Sequence, residues 1–332
     1  MIQRFLTIGL SVSALAPCAW AEEARPAQAK APDANAVATS SAPAERGEVS
    51  GVRAVVYKKT GDRELKLYLH LPPGHEPTDK RPVIVFFFGG GWRGGSAEQF
   101  MPQCRYFASR GMVAAAVDYR VYSRDRAMIA DCTADAQAAI RWVRAHAREL
   151  GVDPDRITAA GGSAGGHLAA ATGTVKDFTH DKKSSISFRP NAMVLFNPAI
   201  DLSPDQSKAG ESVKDHLRIM SRMGARPEEL SPTDNVRPGV PPTIIFHGRQ
   251  DPLIPFAKIE AFAQTMEAAG NRCEVVGFEG QKHGFFNIGK SDGKYFVETL
   301  RLADRFLASL GYLKGEPTID ADMVAKLLKQ GA

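Results

Sequence analysis

Long apolar runs, clustered positive charge and paired cysteines are all scarce in this 332-residue chain, and each scarcity excludes something. No apolar stretch approaches the roughly 20 residues that a membrane-spanning helix needs. The net charge is only +5, and Lys and Arg gather nowhere beyond pairs such as Lys58-Lys59 and Lys182-Lys183. Such pairs read as solvated loop or strand-end charges, so no nucleic-acid partner is expected. Cysteine is rare, at four residues, which rules out a disulfide-built scaffold. The eight histidines show no metal-ligand spacing, and neither metal nor cofactor is expected.

What is present begins with a short export-type segment. Arg4 supplies a positive start, Phe5 to Leu15 is a brief apolar stretch broken by Pro17, and Ala19-Trp20-Ala21 offers a cleavage site. Residues 1–21 therefore read as a signal peptide, with a periplasmic or secreted destination and no stable membrane insertion after cleavage. Leu15-Ala16-Pro17-Cys18 faintly resembles a lipidation box, but proline directly before the cysteine departs from it. Residues 22–48 are rich in Ala, Pro, Glu and Ser and hold almost no large apolar side chains. They cannot bury enough surface to offset their ordering entropy and read as a disordered linker. Export would permit a disulfide among Cys104, Cys132 and Cys273, the first two being nearest in sequence. Against this, Phe100, Cys104 and Phe107 share one helical face, the spacing of a core cysteine.

From residue 49 to 314 the pattern is that of one domain, with 315–332 as a C-terminal tail. Leu65, Leu67, Leu69 and Leu71 alternate with polar residues and pair with Val52–Tyr57 as an edge hairpin. Val83–Phe88 is apolar throughout, as a strand covered on both faces must be. Further strands are expected at Met112–Asp118, Arg156–Ala160, Ala192–Phe196, Thr243–His247 and Cys273–Phe278. Helical stripes alternate with them at 133–150, 257–269 and 296–310. The fold class is therefore α/β: a mostly parallel central sheet with helices on both faces. Residues 201–242, with several prolines and one helix, are the candidate lid or wall.

The chemistry concentrates in Gly161-Gly162-Ser163-Ala164-Gly165, where an apolar strand gives way to a small-residue helix. A serine on such a strained turn needs neighbours almost without side chains, and the helix behind it favours developing negative charge. A serine nucleophile also needs a histidine base, an orienting acid and oxyanion donors. His283 and Asp251 each lie just past a strand, in the chain order Ser, Asp, His. Gly89-Gly90-Gly91-Trp92 follows the first buried strand and can bring backbone N–H groups close. Gly90, Gly91 and Ala164 are the candidate oxyanion donors. Asp201 is a rival for the acid. His167 and His247 read as structural, and Trp92 as either pocket wall or core cover.

At these residues the chain resembles the α/β-hydrolase esterase/lipase superfamily, close to the acetyl esterase and hormone-sensitive-lipase-like carboxylesterases. The matching pieces are Gly89-Gly90-Gly91-Trp92, Asp118-Tyr119-Arg120, Gly161 to His167, the Asp251 loop and His283-Gly284-Phe285. The resemblance covers about 50–312 and implies an α/β-hydrolase fold and a serine carboxylesterase with triad Ser163, Asp251 and His283. In two respects the chain departs from the family: Phe88 stands where the oxyanion loop usually begins with histidine, and 22–48 has no apolar stripe for an N-terminal cap. A small or absent cap is expected, with short-chain, acetyl-type esters as substrates, including those on carbohydrates. The alternatives are a prolyl-oligopeptidase-like peptidase, for which the chain lacks a propeller, and a non-catalytic binding protein of the same fold.

Overall fold

A computed structural model describes residues 52–179, 181, 184–202 and 219–329. The export-type segment and linker (1–48), Lys182-Lys183 and residues 203–218 of the candidate lid lie outside the described residues.

Eight strands form one sheet in the order β1-β2-β4-β3-β5-β6-β7-β8. They are β1 (Val52–Thr60), β2 (Arg63–His70), β3 (Arg81–Phe87), β4 (Val113–Val117), β5 (Val152–Gly162), β6 (Ala192–Phe196), β7 (Thr243–Gly248) and β8 (Cys273–Phe278). β1 and β2 form the antiparallel edge hairpin, and β2 meets β4 antiparallel. All pairings from β4 to β8 are parallel. The sequence pattern follows from this: β2 alternates buried leucines with half-buried polar residues, whereas Pro82 to Phe87 of β3 are buried throughout. Each expected strand is present. β5 starts four residues earlier than the apolar run, because Val152 adds a partner to Arg81 beyond an irregularity in the register.

The main helices are α1 (Met101–Ser109), α2 (Ile129–Ala145), α3 (Ala164–Thr174), α4 (Phe256–Ala268), α5 (Lys294–Ser309) and α6 (Ala321–Lys329). α2 starts four residues before the expected stripe because Asp131 caps it, accepting from the Met128 N–H at 2.9 Å. The 315–332 segment is more than a tail. α6 sits within it, and Ile319, Val324 and Leu327 are buried. The disulfide left open by the sequence is not formed: Cys104, Cys132 and Cys273 are all free and buried. Cys132 lies on the buried face of α2 and donates to the Arg120 carbonyl at 3.1 Å, while Cys104 occupies the core position its spacing indicated. Among the described residues, no helix is long and apolar enough to cross a membrane.

An aromatic layer underlies the carboxyl ends of the parallel strands. Phe100, Phe196 and Phe286 pack with ring centroids 4.9–5.9 Å apart, and Phe86 stacks on Phe100 at 5.0 Å. Each such ring contributes roughly 1.5–3 kcal/mol by burial. The loops above this layer follow β3, β5, β6, β7 and β8, the side of a parallel sheet where ligand sites form.

Candidate active site

Ser163 is the one residue between β5 and α3. Its backbone is held at φ 55°, ψ −120°, a region that costs a non-glycine residue on the order of 1–3 kcal/mol. Close packing enforces it. α3 is buried along its whole length, and a Cβ on Gly165 would fall 2.0 Å from the Phe87 carbonyl oxygen. The helix thus touches the backbone of β3, which only glycine permits. The Ser163 N–H donates to Phe196 O at 2.9 Å, tying the turn to β6.

His283 arrives from the loop after β8, anchored by Phe285 and Phe286, both buried. Its Nε2 lies 2.8 Å from Ser163 Oγ, and its Nδ1 lies 2.7 Å from Asp251 Oδ2. An acidic partner on Nδ1 fixes the tautomer whose bare Nε2 can take the serine proton. The Asp251 side chain is fully buried. Burial alone would raise its pKa. The hydrogen bond and charge of His283 outweigh that, helped by the N–H groups of Ile254 and Leu253, and hold it below the usual carboxylate range. Those N–H groups bind Oδ1 at 3.1 and 2.9 Å.

Asn197, which the sequence reading passed over, is a third support. It sits at φ 42° directly after β6. Its Nδ2 donates to Asp251 Oδ2 at 3.0 Å, and its Oδ1 accepts from the Gly284 N–H at 3.3 Å. One buried amide therefore touches both the acid and the histidine loop. The only local signal was an Asn-Pro pair after a strand, indistinguishable from an ordinary turn. Asp201 is not brought to His283; it pairs with Lys258 at 3.0 Å. His247 is structural: it is buried, donates to the Ile254 carbonyl at 2.9 Å, and lies 3.4 Å from Asp251. Burial first, and the neighbouring His283 charge as well, lower its pKa.

The candidate oxyanion loop follows β3. Gly90 adopts φ 119°, and a Cβ there would sit 2.3 Å from the Gly94 carbonyl oxygen. Its own carbonyl accepts from Arg93 and Gly94 N–H at 3.0 and 3.1 Å. Among the described residues, no acceptor pairs with the N–H groups of Gly90, Gly91 or Ala164. Phe88 answers the missing histidine. Its ring stacks on Tyr119 at 4.0 Å, and the Tyr119 hydroxyl donates to the Phe88 carbonyl at 2.6 Å. The rest of Asp118-Tyr119-Arg120 is fixed by ion pairs, Asp118 to Arg63 at 2.6 Å and Arg120 to buried Asp135 at 2.8 Å. Trp92 is core cover rather than exposed wall: its Nε1 donates to His167 Nδ1 at 3.2 Å. The His167 Nε2–H then donates to the Leu230 carbonyl at 2.9 Å. Burial pushes this histidine down to about 4, so it is neutral and structural. Leu230 belongs to the described part of the 201–242 segment, which buttresses the serine helix through this bond.

Residues 67–266 match the BD-FAE family model. Thermogutta terrifontis esterase 2 is 51% identical over 81% of this chain and 98% of its own, with a TM-score of 0.76. The carboxylesterase NlhH of Mycobacterium tuberculosis is 30% identical over 71% of this chain and 75% of its own length. A probable isoprenylcysteine alpha-carbonyl methylesterase of Arabidopsis thaliana is 30% identical over 70% of this chain. The chain spans about half the length of that plant relative and of several other curated relatives it matches. The family match, these relatives and the parallel sheet with its serine turn agree: the chain belongs to the BD-FAE family and has the α/β-hydrolase fold of the carboxylesterases.

Proposed function

We propose that the protein is an exported carboxylic ester hydrolase acting on short acyl groups through Ser163, His283 and Asp251. The observation that carries this is the continuous Ser163–His283–Asp251 line, at 2.8 and 2.7 Å, beside a glycine loop and a helix start whose N–H groups at Gly90, Gly91 and Ala164 have no acceptor among the described residues.

In this reading Ser163 Oγ attacks the ester carbonyl carbon while its proton passes to His283 Nε2. Asp251 stabilises the imidazolium that forms. Negative charge on the carbonyl oxygen is met by the N–H groups of Gly90, Gly91 and Ala164, each worth about a hundred- to thousandfold in rate. As the tetrahedral intermediate collapses, His283 returns the proton to the departing alcohol. Water then attacks the acyl-serine by the same route, and the acid leaves.

The preference for short acyl groups is supported by the absence of a cap-forming stripe at 22–48. The Thermogutta esterase 2 structures with propionate and butyrate point the same way. Acetylated carbohydrates are the natural substrate class this reading favours, given the export-type segment. The test is a 4-nitrophenyl ester series from acetate to palmitate, run beside Ser163→Ala. Turnover should be greatest at two to four carbons, about, and vanish in the variant. Faster hydrolysis of palmitate overturns the acyl assignment, and activity retained by the variant overturns the mechanism.

A further inference from the structure

The oxyanion loop and the histidine loop come from strands far apart in sequence, yet two amide side chains join them. Gln99 lies just before α1, and Asn287 lies four residues past His283. The Gly89 N–H donates to Gln99 Oε1 at 2.6 Å. Gln99 Nε2 donates to Asn287 Oδ1 at 3.0 Å, and Asn287 Nδ2 donates to the Gly284 carbonyl at 2.8 Å. The chain has a donor at one end and an acceptor at the other, both backbone, so each amide has a single orientation that completes it. From Gly284 the path continues through Asn197 to Asp251, His283 and Ser163. The hydrogen bonds thus run from the peptide beside the oxyanion donors round to the serine.

We infer that Gln99 and Asn287 are positioning residues that couple the geometry of the oxyanion loop to that of the histidine loop. Gly89 immediately precedes the donor residues Gly90 and Gly91, and a Cβ on it would lie 3.3 Å from Ser163 Cβ. Fixing the Gly89 peptide therefore fixes the direction in which the next two N–H groups point. Phe88 and Tyr119 hold this loop from the β4 side; Gln99 holds it at Gly89 and, through Asn287 in the loop after β8, registers it to the histidine loop. Misaligned donors weaken binding of the oxyanion more than binding of the neutral ester, because the charge exists only in the transition state. The inference rests on the ester-hydrolase reading above.

The test is Gln99→Met, Asn287→Ala and the double variant, with Gln99→Glu and Asn287→Asp as conservative partners and Ser163→Ala as reference. For each, kcat and KM on 4-nitrophenyl acetate, Tm, and affinity for a trifluoromethyl ketone are measured. Gln99→Met should lower kcat by about tenfold to a hundredfold, less than outright loss of a donor, with KM nearly unchanged. Ketone affinity should fall in parallel, and the double variant should be no worse than the poorer single one, the mark of residues acting as a unit. Gln99→Glu keeps the acceptor for Gly89 but loses the donor to Asn287, so its kcat should fall while its Tm stays near that of the wild type. Ser163→Ala inactive with Gln99→Met at wild-type kcat overturns the positioning role alone. So do additive losses that track Tm. An active Ser163→Ala overturns the ester-hydrolase reading and this inference with it.

Discussion

The two halves of the site are held by different physics. Around Ser163, position is set by close packing: a left-handed serine, a helix of small residues, and glycines whose missing Cβ lets backbone touch backbone. Around Asp251 and His283, the packing of Phe285 and Phe286 is joined by directed polar contacts: Asn197, two backbone N–H groups and the Gln99–Asn287 bridge. Packing of the first kind fails when atoms are added. The second kind fails when a donor or acceptor is removed. Steric constraint must be met locally and all at once, whereas a hydrogen-bond web can lose one strand and keep its others.

The largest effect should come from adding a methyl group to the packed half. Gly165→Ala places its Cβ against the Phe87 backbone, where no rotamer can relieve the contact. It should yield little or no folded protein, read by thermal denaturation and soluble yield; a variant with near-normal Tm would show that α3 can shift. Removing a polar partner from the other half should do less. Asn197→Ala strips one of the Asp251 bonds and the support of Gly284, while His283, Leu253 and Ile254 remain. A fall in kcat of roughly tenfold to a hundredfold is expected from losing a bond to a charged group, with folded protein recovered. An unchanged kcat would remove Asn197 from the account.

The smallest effect is on stability with pH. Burial lowers His167 from an ordinary 6.5 to about 4, so the folded state refuses a proton that the unfolded chain accepts. Stability should therefore be full above 6.5 and decline as pH falls towards 4. Denaturant midpoints across that window should slope less in His167→Gln. The slope should not vanish, because buried His70 is also pushed to about 4. An identical slope in the variant would show that His167 takes up its proton without cost.

The same contrast explains what could be read from the chain. The packed half writes itself into sequence, because every glycine it needs lies within a few residues of Ser163 or Gly90. The strands were legible for a similar reason: β3 is buried on both faces and β2 on one, and their residue patterns differ accordingly. Asp251 and His283 were legible through chain order and their places after strands. Asn197, Gln99 and Asn287 were not. The bonds that join Asn197 to Asp251 and Gly284, and Gln99 to Asn287, span 54 to 188 residues, and an amide side chain leaves no local pattern that foretells such a bond. The Tyr119–Phe88 stack was hidden too, since each aromatic alone reads as core. The helix at 321–329 was missed because residues 315–332 were set apart by their place after the last expected helix.

The central claim is that Ser163 is a nucleophile activated by His283. The most direct measurement is labelling of the purified protein with a fluorophosphonate, followed by mapping of the adduct by mass spectrometry. The Thermogutta esterase 2 structures include forms phosphonylated by sarin and phosphorylated by paraoxon, so the reagent class suits a relative of this chain. The account predicts one adduct, on Ser163, formed rapidly in the wild type and at a greatly reduced rate in His283→Ala. Labelling elsewhere, or labelling of Ser163 at the same rate without His283, would contradict it.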